Sequence, residues 1–208
     1  IDLNYPIELF KNRRDEFYLL LATFLITLTV GIKEGILLGV LISLLLLVYR
    51  TSRPHIAVLG RIRNTYYFKN IARFPEETET FNHILIIRFD AQLYFGNTEY
   101  FKKELQNQLR LKGREVKYII LNAEAINYID SSAIHMLRQI IEELKNKEIK
   151  LLVAGAIGPA RDIFYSSGLV DAIGKDNFFV KTNEALEHCN PKHQKSAIEN
   201  RISLQSKT

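Results

Sequence analysis

Apolar residues are bunched at one end of the chain. Across residues 17–49 the only charged side chains are the adjacent Lys33 and Glu34. FYLLLATFLITLTVGI precedes that pair and ILLGVLISLLLLVY follows it. One helix of about 33 residues would reach roughly 50 Å, against a hydrocarbon core of about 30 Å. It would also place Lys33 and Glu34 near the bilayer centre, at roughly 2.5–3.5 kcal/mol per charge. Two short antiparallel arms turning at Gly31-Ile32-Lys33-Glu34-Gly35 avoid both problems, although each is somewhat shorter than the ~20 residues of an isolated span. The run is too long for a secretory signal, and no small-residue cleavage site follows it.

The flanks agree with a hairpin. Lys11, Arg13 and Arg14 precede the run, and Arg50, Arg53, Arg61 and Arg63 follow it. Positive residues near membrane ends stay cytoplasmic, so two basic ends imply an even number of crossings. Gly31, Gly35 and Gly39 are spaced four apart, which lets helices approach closely; the plainer reading is that Gly31 and Gly35 only make the turn. Residues 1–16 read as a cytoplasmic amphipathic approach to the membrane, and residues 50–55 as a linker.

The remainder reads as an α/β domain over residues 56–189. Strands are predicted at 55–61 (HIAVLGR), 83–89 (HILIIRF), 117–121 (KYIIL), 150–154 (KLLVA) and 178–180. The middle three are continuous apolar runs, expected where both sheet faces are covered. Residues 66–68 are placed opposite the first strand across a turn, and residues 73–82 as a polar loop. Helices are predicted over 98–111, 131–147, 159–167 and 183–188. Alternating strands and helices imply a mostly parallel or mixed sheet with helices against it. Residues 190–208 read as a disordered polar tail.

Composition adds little until it is divided. The 208 residues are 25% charged and 47% hydrophobic, ordinary values that exclude a disordered or fibrous chain. The mean hydropathy is near zero only because a greasy piece is averaged with a polar one. The net charge of +5, with its basic residues just after the apolar run, fits an anionic cytoplasmic leaflet better than nucleic acid.

The sequence offers little to catalysis. Cys189 is the only cysteine, so neither an intrachain disulfide nor a CxxC metal site exists. The five histidines form no HExxH. Gly168 to Gly174-Lys175 has one residue too many for a phosphate loop, and Asp176 replaces its hydroxyl. Gly155 and Gly158 do not complete a dinucleotide fingerprint, and no serine sits in a G-x-S-x-G elbow. No enzyme, cofactor or metal is therefore expected.

The notable local feature is Asn127-Tyr128-Ile129-Asp130-Ser131-Ser132-Ala133. Asp130 stands where a helix begins, and the plain reading is a helix cap. A functional reading makes Ser131 or Ser132 a phosphate acceptor, because a dianion is favoured at a helix N-terminus.

The order of elements and the Ile129-Asp130-Ser131-Ser132-Ala133 turn resemble the STAS domain, the fold of bacterial anti-sigma-factor antagonists. The stretch RTSRPHIAVLGR (residues 50–61) resembles the connector between the last membrane helix and STAS in SulP-type sulfate permeases. RFDAQLYFGNTEYF (residues 88–101) resembles the stretch after the central strand of that domain. The resemblance covers about residues 1–188. It implies the C-terminal part of a secondary active anion transporter for sulfate, bicarbonate or related anions, in the cell membrane, with the STAS domain cytoplasmic and regulatory. Residues 17–49 then match the last two membrane helices of a longer polypeptide, an expectation that the start at Ile1 rather than Met fits, and the anion site lies in earlier helices.

The partners so implied are the bilayer, those earlier helices, a second copy in a homo-oligomer and a cytosolic protein, with no nucleic acid. In the soluble antagonists the phosphorylated serine is the second of the pair, which corresponds to Ser132. The alternative is a membrane-anchored, antagonist-like signalling module switched by that serine. Three positions depart from the pattern: Ala133 replaces a glycine of the antagonists, Asn122 an aspartate at the strand end, and Gln92 a proline common in permeases.

Overall fold

The computed structural model describes residues 4–190, which divide into one compact unit up to Arg53 and another from Pro54 onward. Residues 1–3 of the approach segment and 191–208 of the expected tail lie outside the described residues.

The first unit is three helices: α1 (Asn4–Asn12), α2 (Arg14–Thr29) and α3 (Ile32–Ser52). α1 packs on α2, and α2 on α3. The break between α2 and α3 is tighter than the sequence predicts. Only Val30 and Gly31 interrupt the helices, and Gly31 sits at φ +148, in the region that favours glycine. Lys33 and Glu34 therefore belong to the first turn of α3 rather than to a loop, and Gly35 is already helical. Glu34 in the first turn suits the partial positive charge of a helix N-terminus.

The arms are accordingly unequal. α2 has 16 residues and α3 has 21, or about 31 Å. Among the described residues α3 is the one helix long and apolar enough to cross a membrane. At the other end of the hairpin, Arg50 bonds both Asp15 and Glu16, tying the start of α2 to the end of α3.

The second unit carries strands β1 (Ile56–Ile62), β2 (Phe68–Asn70), β3 (Thr78–Glu79), β4 (Ile84–Phe89), β5 (Tyr118–Asn122), β6 (Lys150–Ala154) and β7 (Phe178–Phe179). Between them run α4 (Thr98–Lys112), α5 (Ser131–Asn146), α6 (Gly158–Ser166), α7 (Leu169–Ile173) and, last, α8 (Thr182–Cys189). The strand order is β2-β1-β4-β5-β6-β7, with β3 paired to β1. β4 through β7 are parallel, and β1 is antiparallel to β2, β3 and β4.

Alternation along each strand explains the continuous apolar runs. Leu85, Ile87, Ile119, Leu121, Leu151 and Val153 enter a core with α4–α7. Their neighbours Ile86, Ile120, Leu152 and Ala154 enter a second core with Ala185 and Leu186 of α8. The mixed, helix-flanked sheet is the predicted architecture.

Three elements differ from the prediction. The segment opposite β1 is Phe68–Asn70 rather than residues 66–68. β3 lies inside the expected polar loop, where the Arg61–Glu79 ion pair (2.6 Å) joins it to β1. α7 lies in a stretch for which the sequence predicts no helix; Gly168 and Gly174 bound it with positive φ, while Leu169 and Val170 are buried.

Candidate functional site

The Asp-Ser-Ser turn lies at the carboxyl ends of the parallel strands. β5 ends at Asn122, and the chain crosses to Asp130, whose extended backbone (φ −90, ψ 177) breaks into α5. Both carboxylate oxygens of Asp130 are used. Oδ1 accepts the Ala133 N–H at 2.8 Å, capping α5. Oδ2 accepts the Phe95 N–H, also at 2.8 Å, from the loop after β4. The two loops are further joined by a parallel bridge between Leu93 and Ile129. Asp130 is thus a helix cap and a clasp between loops 35 positions apart.

Ser131 and Ser132 are the first two residues of α5, and both are exposed. Exposed aromatic rings lie on either side of the clasp: Phe95 is 74% accessible and Tyr128 48%. The Phe95 loop is held from within by buried Asn97, whose Oδ1 accepts the Tyr94 N–H (3.1 Å) and whose Nδ2 donates to Gln92 O (2.8 Å). Asn97 precedes α4 and has the residue type of a cap, but its side chain is turned back into the loop. The serines therefore stand exposed in the first turn of α5, directly after the Asp130 clasp.

A second polar cluster lies at the same end of the sheet. Asp90, just beyond β4, accepts from Arg88 Nε at 2.5 Å and pairs with His55 Nδ1 at 2.8 Å. Burial pushes the Asp90 carboxyl up, but the bonds from Arg88 and His55 outweigh it and hold the group below its usual range. One strand further on, Asn122 Nδ2 donates to Thr182 Oγ1 at 2.9 Å, tying β5 to α8. Nothing in the local sequence marks either cluster, because His55 meets Asp90 across 35 positions and Asn122 meets Thr182 across 60.

The three glycines lie in the other unit. Gly31 makes the helix break. A Cβ on Gly35 would collide with Thr27, and one on Gly39 would come within 2.5 Å of Thr23 Cγ2. Gly35 and Gly39 thus lie at the α2–α3 contact, which glycine keeps close. Among the described residues no group of His, Cys, Asp or Glu side chains converges to hold a metal ion. Cys189 is partly buried, and burial pushes its thiol up to about 12.

Parallel strands with one antiparallel neighbour, helices on both faces and a capped Asp-Ser-Ser turn define a small mixed α/β domain. The family model for the STAS domain matches residues 76–185, and the chain belongs to that family. It is 34% identical over 213 residues to sulfate transporter 4.1, chloroplastic, of Arabidopsis thaliana, covering 97% of this chain and 30% of the relative. It is 29% identical to sulfate transporter 1.3 of Arabidopsis thaliana, covering 92% of this chain and 30% of the relative. Among solved structures, the murine solute carrier 26 family member A9 anion transporter in the inward-facing state matches 88% of this chain and 30% of its own. The TM-score is 0.77 at 16% identity, a likeness of fold. The chain spans about 30% of the length of these relatives.

Proposed function

We propose that this chain is the C-terminal portion of a secondary active anion transporter of the sulfate type, ending in a cytosolic regulatory STAS domain. The observation that carries the reading is the 34% identity over 97% of the chain, which takes in the apolar hairpin as well as the domain. α2 and α3 re-enter the bilayer as a hairpin whose two basic ends face the cytoplasm. α2, with 16 residues, is short for an isolated span but sufficient where other protein surrounds it. The anion path belongs to helices outside this chain. The domain acts by contact, with a second copy of the transporter or with a cytosolic protein, through the rim at Asp130, Ser131 and Ser132. The exposure of Ser131 and Ser132 favours regulation there by phosphorylation, with Ser132 the acceptor.

Sidedness tests the reading. In a Cys189→Ser background, cysteines are introduced at Ile32 and at Ser131 and probed in intact cells with a membrane-impermeant maleimide. The cysteine at position 32 labels from outside, and the one at 131 only after permeabilisation. Labelling of both from the same side contradicts the hairpin. Phosphate on Ser132 after incubation with cell extract and ATP, read by mass spectrometry, tests the switch separately.

A further inference from the structure

Four loops at the carboxyl end of the parallel sheet leave apolar side chains uncovered. Phe95 follows β4, Tyr128 follows β5, Ile157 follows β6 and Val180 follows β7, and all four are exposed. The Leu93–Ile129 bridge holds the first two loops side by side. We propose that this end is masked by the chain's own C-terminal segment, residues 191–208, which covers the Asp130–Ser132 turn and must leave before a partner or a kinase reaches it.

Charge selects the occupant. Residues 90–97, 123–130, 155–157 and 180–181, which make up this end, contain Asp90, Glu124 and Asp130 against Lys181 alone. Arg88 and His55 answer Asp90. Among the described residues neither Glu124 nor Asp130 forms an ion pair. Unpaired carboxylates beside exposed rings repel an anionic bilayer and suit a basic segment that also carries apolar side chains. Residues 191–208 have that character: Lys192, Lys195, Arg201 and Lys207 stand against Glu199, with Ile198, Ile202 and Leu204 among them. A guanidinium such as that of Arg201 both pairs with carboxylates and stacks on aromatic faces.

The segment is long enough. Asn190 lines a cavity with His83 and Lys117, at the amino ends of β4 and β5. β5 has five residues, so the sheet is about 17 Å deep there. An extended chain leaving Asn190 covers roughly 27 Å by Ile198 and roughly 46 Å by Leu204. Covalent attachment then supplies a high effective concentration, so weak pairing suffices. The inference rests on the turn being the contact surface of the domain; masking is read with no partner present, so its failure is distinct from the failure of that reading.

Thiol labelling tests the mask. In a Cys189→Ser background carrying Ser132→Cys, the whole chain in neutral detergent micelles is compared with the same chain ending at Asn190, using a soluble maleimide. At low salt the thiol at position 132 is expected to react about fivefold more slowly in the whole chain, and the difference is expected to shrink in 1 M salt as charges are screened. Charge reversal of Lys192, Lys195, Arg201 and Lys207 to Glu is expected to restore the fast rate. Tenfold dilution is expected to change nothing, because the contact is within one chain. Leu111→Cys, at an exposed position of α4, is the reference and reacts equally in both chains. Equal rates at position 132 at low salt, slowing that survives charge reversal, or slowing that fades on dilution would overturn the proposal.

Discussion

The carboxylate of Asp130 receives the backbone N–H of Phe95 at 2.8 Å, across 35 positions of sequence. The same side chain caps α5 through Ala133. Removing it costs two bonds at once and leaves two backbone donors to find water. Asp130→Ala is expected to destabilise the fold by about 1–3 kcal/mol, measured by urea denaturation. Asp130→Asn keeps an acceptor for one of the two donors and should lose about half as much.

The serines beside it tolerate charge. Ser132 is exposed in the first turn of α5, where the helix dipole favours an anion and Asp130 opposes it. Ser132→Asp should therefore leave stability within about 0.5 kcal/mol of wild type in the same urea titration, changing the surface and not the fold.

The hairpin is less forgiving. A Cβ on Gly35 would lie 3.0 Å from Thr27 Cα, on backbone that cannot swing away. Gly35→Leu should cost about 1–3 kcal/mol by overpacking, seen as a lower melting temperature in detergent. Gly158 has nothing within 4 Å of its would-be Cβ and a negative φ, so Gly158→Ala is the silent control.

Cys189 should be nearly inert. With its thiol pushed up to about 12, its thiolate fraction at pH 8 is roughly a thousandfold below that of an ordinary cysteine. Alkylation by iodoacetamide is expected to be correspondingly slow in the native protein and fast in guanidinium. Rapid native labelling would place the thiol in a more open setting.

What the sequence disclosed follows from how local each signal is. The apolar runs of β4, β5 and β6, the period of α5 and the cap at Asp130 lie within single short windows, and each was readable. β3 has two residues and meets β1 through backbone pairing and the Arg61–Glu79 ion pair; its window shows only a polar loop. α7 has five residues, too few for a period, and stands on burial of Leu169 and Val170. The Val30–Gly31 break was misplaced because Lys33 and Glu34 read as turn residues, while a helix N-terminus accommodates them within its first turn. The Phe95 clasp and the His55–Asp90 pair depend on which strands are neighbours, and that order emerges only when the sheet is assembled.

The proposed transport is tested most directly by uptake of labelled sulfate into proteoliposomes holding the whole polypeptide of which residues 1–208 are the proposed C-terminal part. An inward proton or sodium gradient is expected to drive sulfate entry that collapses with an ionophore. Removing the residues after Arg53 is expected to lower it. Uptake no faster than in protein-free liposomes, under either gradient, would contradict the account.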